Sequence, residues 1–155
     1  MTDPRLTVLM YHAIPGPDGA CEDADPHYAV RAPAFARHLG LFAAAGLRVS
    51  SVRDLLDGDR GGRIGVTFDD GHESNAAAAR RILDASGTAD LFVNPGTVGR
   101  RNFLDWRALA DLARAGVSIQ SHGQTHRYFD ELSDAQVEEE LARSKAEIED
   151  RVGTP

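Results

Sequence analysis

Two adjacent carboxylates, Asp69 and Asp70, close a short apolar run, Ile64-Gly65-Val66, through Thr67-Phe68, and Gly71 follows them. A strand that stops on two acids and a glycine holds charged groups at its end and lets the backbone turn. Further along, Ser121-His122-Gly123-Gln124-Thr125-His126 closes a second apolar run, Val117-Ser118-Ile119. His122 and His126 are four apart, a spacing that puts both imidazoles on one side of a helix or wide turn. With one carboxylate of the Asp pair they form a two-His-one-carboxylate set, which leaves positions open for water. A divalent cation held in this way lowers the pKa of bound water and polarises a carbonyl. The second carboxylate is then free to take a proton. Neighbouring side chains on an extended segment diverge, so one acid of the pair can meet a metal while the other faces the attacking water. Taken alone, Asp-Asp-Gly describes a turn and His-x-x-x-His a surface accident. Together, each at the end of an apolar strand, they are expected to form a metal site. Imidazole ligands must be neutral, so metal affinity is expected to fall below about pH 6.

The elements that position these groups follow from punctuation and period. Leu6 to His12 is a strand candidate with His12 at its C-terminal end. Residues 13 to 31 hold three prolines, two glycines and four acids and are expected to be loop. Phe35, Leu39 and Phe42 mark one face of a helix from Pro33 to Ala45, stopped by Gly46. Leu47 to Ser50 is a short strand, and Ser51 caps a brief helix through Leu55-Leu56. A turn-rich connector, 57 to 62, leads to the strand that ends on Asp69-Asp70. Ser74 to Ser86 is helical, periodic at Ala78, Ile82 and Ala85. Ala89 to Asn94 is a strand, and Leu104 to Ala115 a helix carrying Leu109 and Leu112. Val117 to Gln120 delivers His122. Ser133 to Val152 is a long helix opened by a capping box, Ser133 with Gln136, with Leu141, Ile148 and Val152 on its buried face.

Strands alternating with helices argue for a parallel sheet with helices packed outside it. Such sheets carry their chemistry at the strand C-termini, whether open or closed into a barrel. His12, Asp69, Asp70, Asn94 and His122 all fall there. His12 and Asn94 are accordingly candidates to line the pocket. His72, Glu73 and Asn75 are assigned to solvent, His27 and His38 to loop and helix surface, and Trp106 to packing.

The totals bound the rest. At 155 residues, one domain spanning 1–155 is expected, large enough for its own core. A net charge of -7, with basic residues scattered rather than striped, argues against a nucleic-acid partner. The single cysteine, Cys21, excludes an internal disulfide and is expected to be a bystander thiol. Neither a signal peptide nor an apolar run of about 20 residues is present, so no membrane span is expected. As given the chain reads as cytoplasmic, or as secreted if a signal precedes it.

Thr67-Phe68-Asp69-Asp70-Gly71 matches the first motif of the polysaccharide deacetylases, the NodB-homology family called carbohydrate esterase family 4. Ser121-His122 to His126 resembles their second motif, His-Ser/Thr-x-x-His, and Leu9-Met10-Tyr11-His12 resembles the N-terminal strand of many members. The resemblance covers essentially the whole chain. It implies an α/β fold, a deformed (β/α) barrel, and removal of N-acetyl groups from an amino-sugar glycan or oligosaccharide. Carried over, Asp69 is the general base, and Asp70, His122 and His126 hold a divalent metal, most often Zn2+. The expected metal site rests in part on this resemblance. Two departures stand out. Gly123 replaces a Ser or Thr whose hydroxyl would brace the histidine loop, a task left to Thr125 or Ser121. The later motifs, with an arginine, an aromatic groove wall and a Leu-x-His general acid, would fall beyond residue 155. Four or five βα units are present, so the barrel is expected to be truncated, its last strand an open edge for a missing segment or partner to cover. Two other readings stay open: hydrolysis of small cyclic amides on the same site, or a metal-binding fragment without catalysis.

Overall fold

The computed structural model describes residues 6–16, 25–57 and 62–153; Cys21 and most of the 57–62 connector lie outside them. Among these residues five strands form one parallel sheet: β1 (Val8–Tyr11), β2 (Arg48–Ser50), β3 (Arg63–Phe68), β4 (Asp90–Val93) and β5 (Ser118–Ser121). The order is β1-β3-β4-β5, with β2 paired to the first residues of β3. Among the described residues five α-helices accompany them: α1 (Ala32–Ala44), α2 (Val52–Asp57), α3 (Asn75–Asp84), α4 (Trp106–Arg114) and α5 (Asp134–Val152).

Register divides the strand residues between two faces. Met10 pairs with Thr67, Thr67 with Asp90, and Asp90 with Ser118, so these share one face. On the other face Val66, Phe68, Leu91, Val93 and Ile119 are buried against Phe35, Ala78, Ile82, Leu109, Leu112 and Ile148 of the helices. That outer face carries the core. The inner face is more polar and more open: Val8 and Met10 are exposed, and Phe92, Ser118 and Gln120 are half-buried. Helices on the outside and a partly open inner face are the arrangement of a partial (β/α) barrel.

At the N-terminal end, α2 closes the inner face. A Cβ on Gly65 would lie 2.9 Å from Val8 and 3.0 Å from Leu55, so glycine lets β1 and α2 meet there. The cap of α2 is as the sequence predicts, Ser51 Oγ accepting from the Asp54 amide at 3.1 Å. Asp90 adds a second acceptor, taking the Val52 amide at 2.6 Å.

Most element boundaries move by one or two residues from those read in the sequence, and a few expectations fail outright. The loop between β1 and α1 contains a 3-10 turn, Pro26–Tyr28, capped by Asp25. Leu104 is buried ahead of α4, because Asp105, accepting from the Ala108 amide, begins the helix. Ala85 is exposed past the end of α3. Leu141 is exposed rather than buried, because α5 turns its 140-144-148 row to β5 and leaves Leu141 over a cavity of about 650 Å³ at the open β5 edge. Ser144 and Ile148 of that row are buried. His72 and Asn75, assigned to solvent, are buried too: the Asn75 amide donates to the His12 carbonyl at 2.6 Å, and His72 pairs with Ser74 at 2.7 Å. Trp106 packs as expected, half-buried against the core with Arg151 above its ring. Among the described residues no helix is long and apolar enough to cross a membrane.

Burial pushes the Asp90 carboxyl above its ordinary pKa, and Asp54 pushes the same way, against the Val52 amide and the Ser118 hydroxyl. The stability this group contributes is therefore present below the unfolded carboxylate pKa and lost as pH rises through the raised folded value. Asp90→Asn removes that loss. Its thermal midpoint is expected to gain on the parent as pH rises above the unfolded carboxylate value of about 4; a midpoint that falls further behind as pH rises would contradict the assignment.

Candidate metal centre

The ends of β3, β4 and β5 converge on one cleft of about 510 Å³. Parallel register carries the inner face onward past each strand, so His12, Asp69, Asn94 and His122 continue the alternation that placed Met10, Thr67, Phe92 and Gln120 inward. All four line the cleft, with Asp70, His72 and His126.

The two aspartates part company at the end of β3. Asp69 keeps an extended link to β1, its amide donating to the Tyr11 carbonyl at 2.8 Å, and it is 8% exposed. Asp70 then turns left-handed, φ 72°, and Gly71 follows at 73°. An aspartate tolerates that conformation better than most residues. The turn sends the Asp70 carboxylate toward the histidines, with Oδ1 3.0 Å from His126 Nε2 and 3.4 Å from His122 Nε2.

Asp70 Oδ1 is buried and has no hydrogen-bond partner. Two imidazole nitrogens face it, and one ligand atom from each of the three residues lies within 4.8 Å of the others. Ligands at about 2.0–2.1 Å from a tetrahedral cation stand roughly 3.3 Å apart. The donor set and its spacing therefore fit a divalent cation. Among the described residues this is the one group of three or more such ligands. The larger cavity at the β5 edge contains carboxylates but no such group.

The histidine loop is held from two sides. From β4, Val93 accepts the His122 amide at 2.9 Å, and Asn94 donates to the carbonyls of His122 and Gly123. Asn94 thus holds the loop while it lines the cleft. From α5, Glu140 accepts the amides of Gln124 and Thr125 at 2.7 and 2.8 Å and the Thr125 hydroxyl at 2.7 Å. Burial works to raise the Glu140 pKa, but the hydrogen bonds from Thr125 and Gln124 outweigh it and hold the carboxyl below its ordinary value. His126, at φ 62°, hangs from this braced turn.

Gly123 now has a reason. It sits at φ 82°, and a Cβ there would come within 3.4 Å of Glu140 Oε2. The bracing hydroxyl comes from both sequence candidates. Ser121 accepts the Gly123 amide at 3.2 Å and bonds Ser144 at 2.6 Å, while Thr125 binds Glu140. Gly96 seals the other side: its amide donates to Gln124 at 2.9 Å, and a Cβ there would strike that same carbonyl oxygen at 2.7 Å. Glu140 was not identified from the sequence, although it stands four residues before Ser144 and eight before Ile148. That spacing marks it as a charged residue on a buried helix row.

Burial also pushes the Asp69 carboxyl above its ordinary pKa, opposed by His122, His12 and His126 and reinforced by Asp70. A half-buried His12 stacks on Tyr28 nearby, ring centroids 4.8 Å apart.

A partial barrel with an Asp-Asp pair facing two histidines at the strand ends defines a class, and comparison with known proteins agrees. The chain belongs to the polysaccharide deacetylase family, whose model matches residues 57–155. It is 32% identical over 81 residues to YxkH of Bacillus subtilis, which carries the name of a polysaccharide deacetylase. A solved polysaccharide deacetylase from Bacillus cereus superposes with a TM-score of 0.81 over 97% of this chain, at 26% identity. The deacetylase PplD of Streptococcus pyogenes, solved with acetate, shares the fold at a TM-score of 0.80 and 21% identity. The chain spans less than these relatives do: the match covers 29% of YxkH, 48% of the Bacillus cereus chain and 70% of PplD.

Glu140→Ala frees the histidine loop without touching a ligand. If the Asp70-His122-His126 group holds a divalent cation, the affinity for it, read by competition with a chelator, is expected to fall on the order of ten-fold or more. Unchanged affinity would mean that β4 alone sets the loop.

Proposed function

We propose that this chain carries the metal site and general base of a divalent-metal-dependent N-deacetylase that acts on N-acetylated amino-sugar glycans. The observation that carries this reading is a buried Asp70 oxygen that has no hydrogen-bond partner and faces two imidazole nitrogens, with Asp69 beside it in an open cleft. Asp70, His122 and His126 would hold the cation, most readily zinc given its nitrogen and oxygen ligands. When bound, the cation acts as a Lewis acid on the amide carbonyl and makes water a nucleophile near neutral pH.

The remaining work belongs to the chain's own groups. Asp69 takes the proton from the attacking water. Burial raises its proton affinity, which suits a general base better than an exposed aspartate would. The protonated Asp69 can return that proton to the nitrogen as the C–N bond breaks and the amine leaves. Acetate and a free amino sugar are the products. His12 and Asn94 line the cleft, Asn94 by fixing the histidine loop.

Coverage of only part of each relative favours one second reading, in which the chain binds metal but needs further polypeptide for turnover. Two measurements on one variant separate the readings. Asp69→Asn is expected to keep one zinc per chain while acetate release from chito-oligomers falls roughly 10²–10⁴-fold. Turnover equal to the parent would refute the base. Stoichiometric zinc without turnover in the parent would leave the second reading.

Asp70→Ala makes the complementary prediction. Removing the carboxylate leaves two imidazoles, and elemental analysis is expected to find the metal lost after dialysis. Full zinc content in that variant would exclude Asp70 as a ligand.

A further inference from the structure

We propose that Tyr28 and Tyr128 are sugar-stacking walls of the cleft, binding the units that flank the one at the metal site; this rests on the deacetylase reading above. Both tyrosines line the cleft that holds Asp69, Asp70, His122 and His126. They reach it from opposite sides. Tyr28 comes from the segment after β1 and Tyr128 from the segment after β5, the two outer strands of the sheet order, while the aspartates end β3 between them.

Both rings are open to solvent, Tyr28 at 54% and Tyr128 at 75%. An aromatic ring left that exposed contributes little to the core. Tyr28 is nevertheless held in place. Its ring stacks on His12 at 4.8 Å with an interplanar angle of 26°, which covers one face and leaves the other free. The turn beneath it is fastened: Asp25 accepts the His27 amide at 2.8 Å, and the Val30 and Ala32 amides donate to Ala13 and Pro15 at 3.0 and 2.8 Å. Tyr128 opens the 3-10 turn Phe129–Glu131, its carbonyl accepting from Glu131 at 3.1 Å, two residues past His126.

A rigid, exposed aromatic face is suited to the axial C–H face of a pyranose, and the phenol adds one hydrogen bond at the rim. Little ordering entropy is lost on binding when the ring is already fixed. Two exposed aromatic faces on either side of the Asp70-His122-His126 group, the Tyr28 face fixed by stacking on His12, suit an extended oligomer better than a single small amide. They therefore predict affinity that rises with chain length.

The test uses the zinc-loaded chain in an Asp69→Asn background, where binding is read without turnover. N-acetylglucosamine oligomers of one to four units are titrated and followed by amide NMR shifts. Affinity is expected to rise from one unit to four. Tyr28→Ala and Tyr128→Ala are each expected to weaken the tetramer roughly five- to ten-fold and to flatten the length dependence, while Tyr28→Phe keeps most of it. Single-unit affinity should not change. Thermal midpoints of the variants separate lost packing from lost binding.

Tetramer affinity unchanged in both alanine variants, or no gain from one unit to four, would overturn the proposal. Acetate release from oligomers in the parent is scored separately. If acetate is released and the alanine variants bind as the parent does, the walls fall and the deacetylase reading stands. If oligomers bind with length dependence but no acetate appears, the walls stand and the second reading, in which turnover needs further polypeptide, replaces the first.

Discussion

A carboxylate oxygen buried with no hydrogen bond, facing two imidazole nitrogens, is the constraint on which the site depends. Leaving a buried acceptor unsatisfied costs free energy, more so when it carries charge. Asp70 Oδ1 is in that position, 3.0 and 3.4 Å from the two Nε2 atoms. A cation resolves this, because it pairs with the carboxylate and takes the imidazole lone pairs at once. The unfavourable arrangement of the protein alone is what a preformed metal site looks like.

Several strained or tightly packed positions share the work of keeping that arrangement. Asp70 and His126 both hold left-handed backbone, at φ 72° and 62°. Each of these conformations is disfavoured for a non-glycine residue and persists only where its surroundings fix it. Around Asp70 the fixing comes from Gly71 and the end of β3. Around His126 it comes from Glu140, Asn94 and the close contact at Gly96. The parallel sheet supplies the rest by bringing three strand ends to one level. Asp69 stays inward and buried because it continues the β3 alternation, and Asp70 escapes it by turning. Two residues of the same type therefore have different surroundings and suit different chemical roles.

Much of this was legible in the sequence, and the failures share a cause. The parallel sheet, the strand ends and the convergence of Asp70 with His122 and His126 follow from periodicity, from turn residues and from motif resemblance, all of which are local; the order β1-β3-β4-β5, with β2 set against the start of β3, is not local and was not legible there. What was missed depends on which way a helix or loop turns. The row 140-144-148 of α5 faces β5, so Glu140 is a loop anchor and Leu141 is exposed; hydrophobicity alone points to the reverse. His72 and Asn75 look like solvent-facing polar residues until the chain crossing places the His12 carbonyl above Asn75. The absence of a hydroxyl at position 123 is a departure from the family pattern whose reason the sequence does not give. In three dimensions the left-handed backbone and the nearby Glu140 favour glycine, and Ser121 and Thr125 take over the bracing.

The central claim is that one carboxylate and two imidazoles of this chain share a single cation. X-ray absorption at the zinc edge of the reconstituted protein tests it most directly. The account predicts a first shell of nitrogen and oxygen at about 2.0–2.1 Å with the outer-shell scattering of two imidazole rings. It also predicts that His126→Ala removes one of those rings. A shell containing sulfur at about 2.3 Å, or imidazole scattering unchanged in His126→Ala, would contradict it.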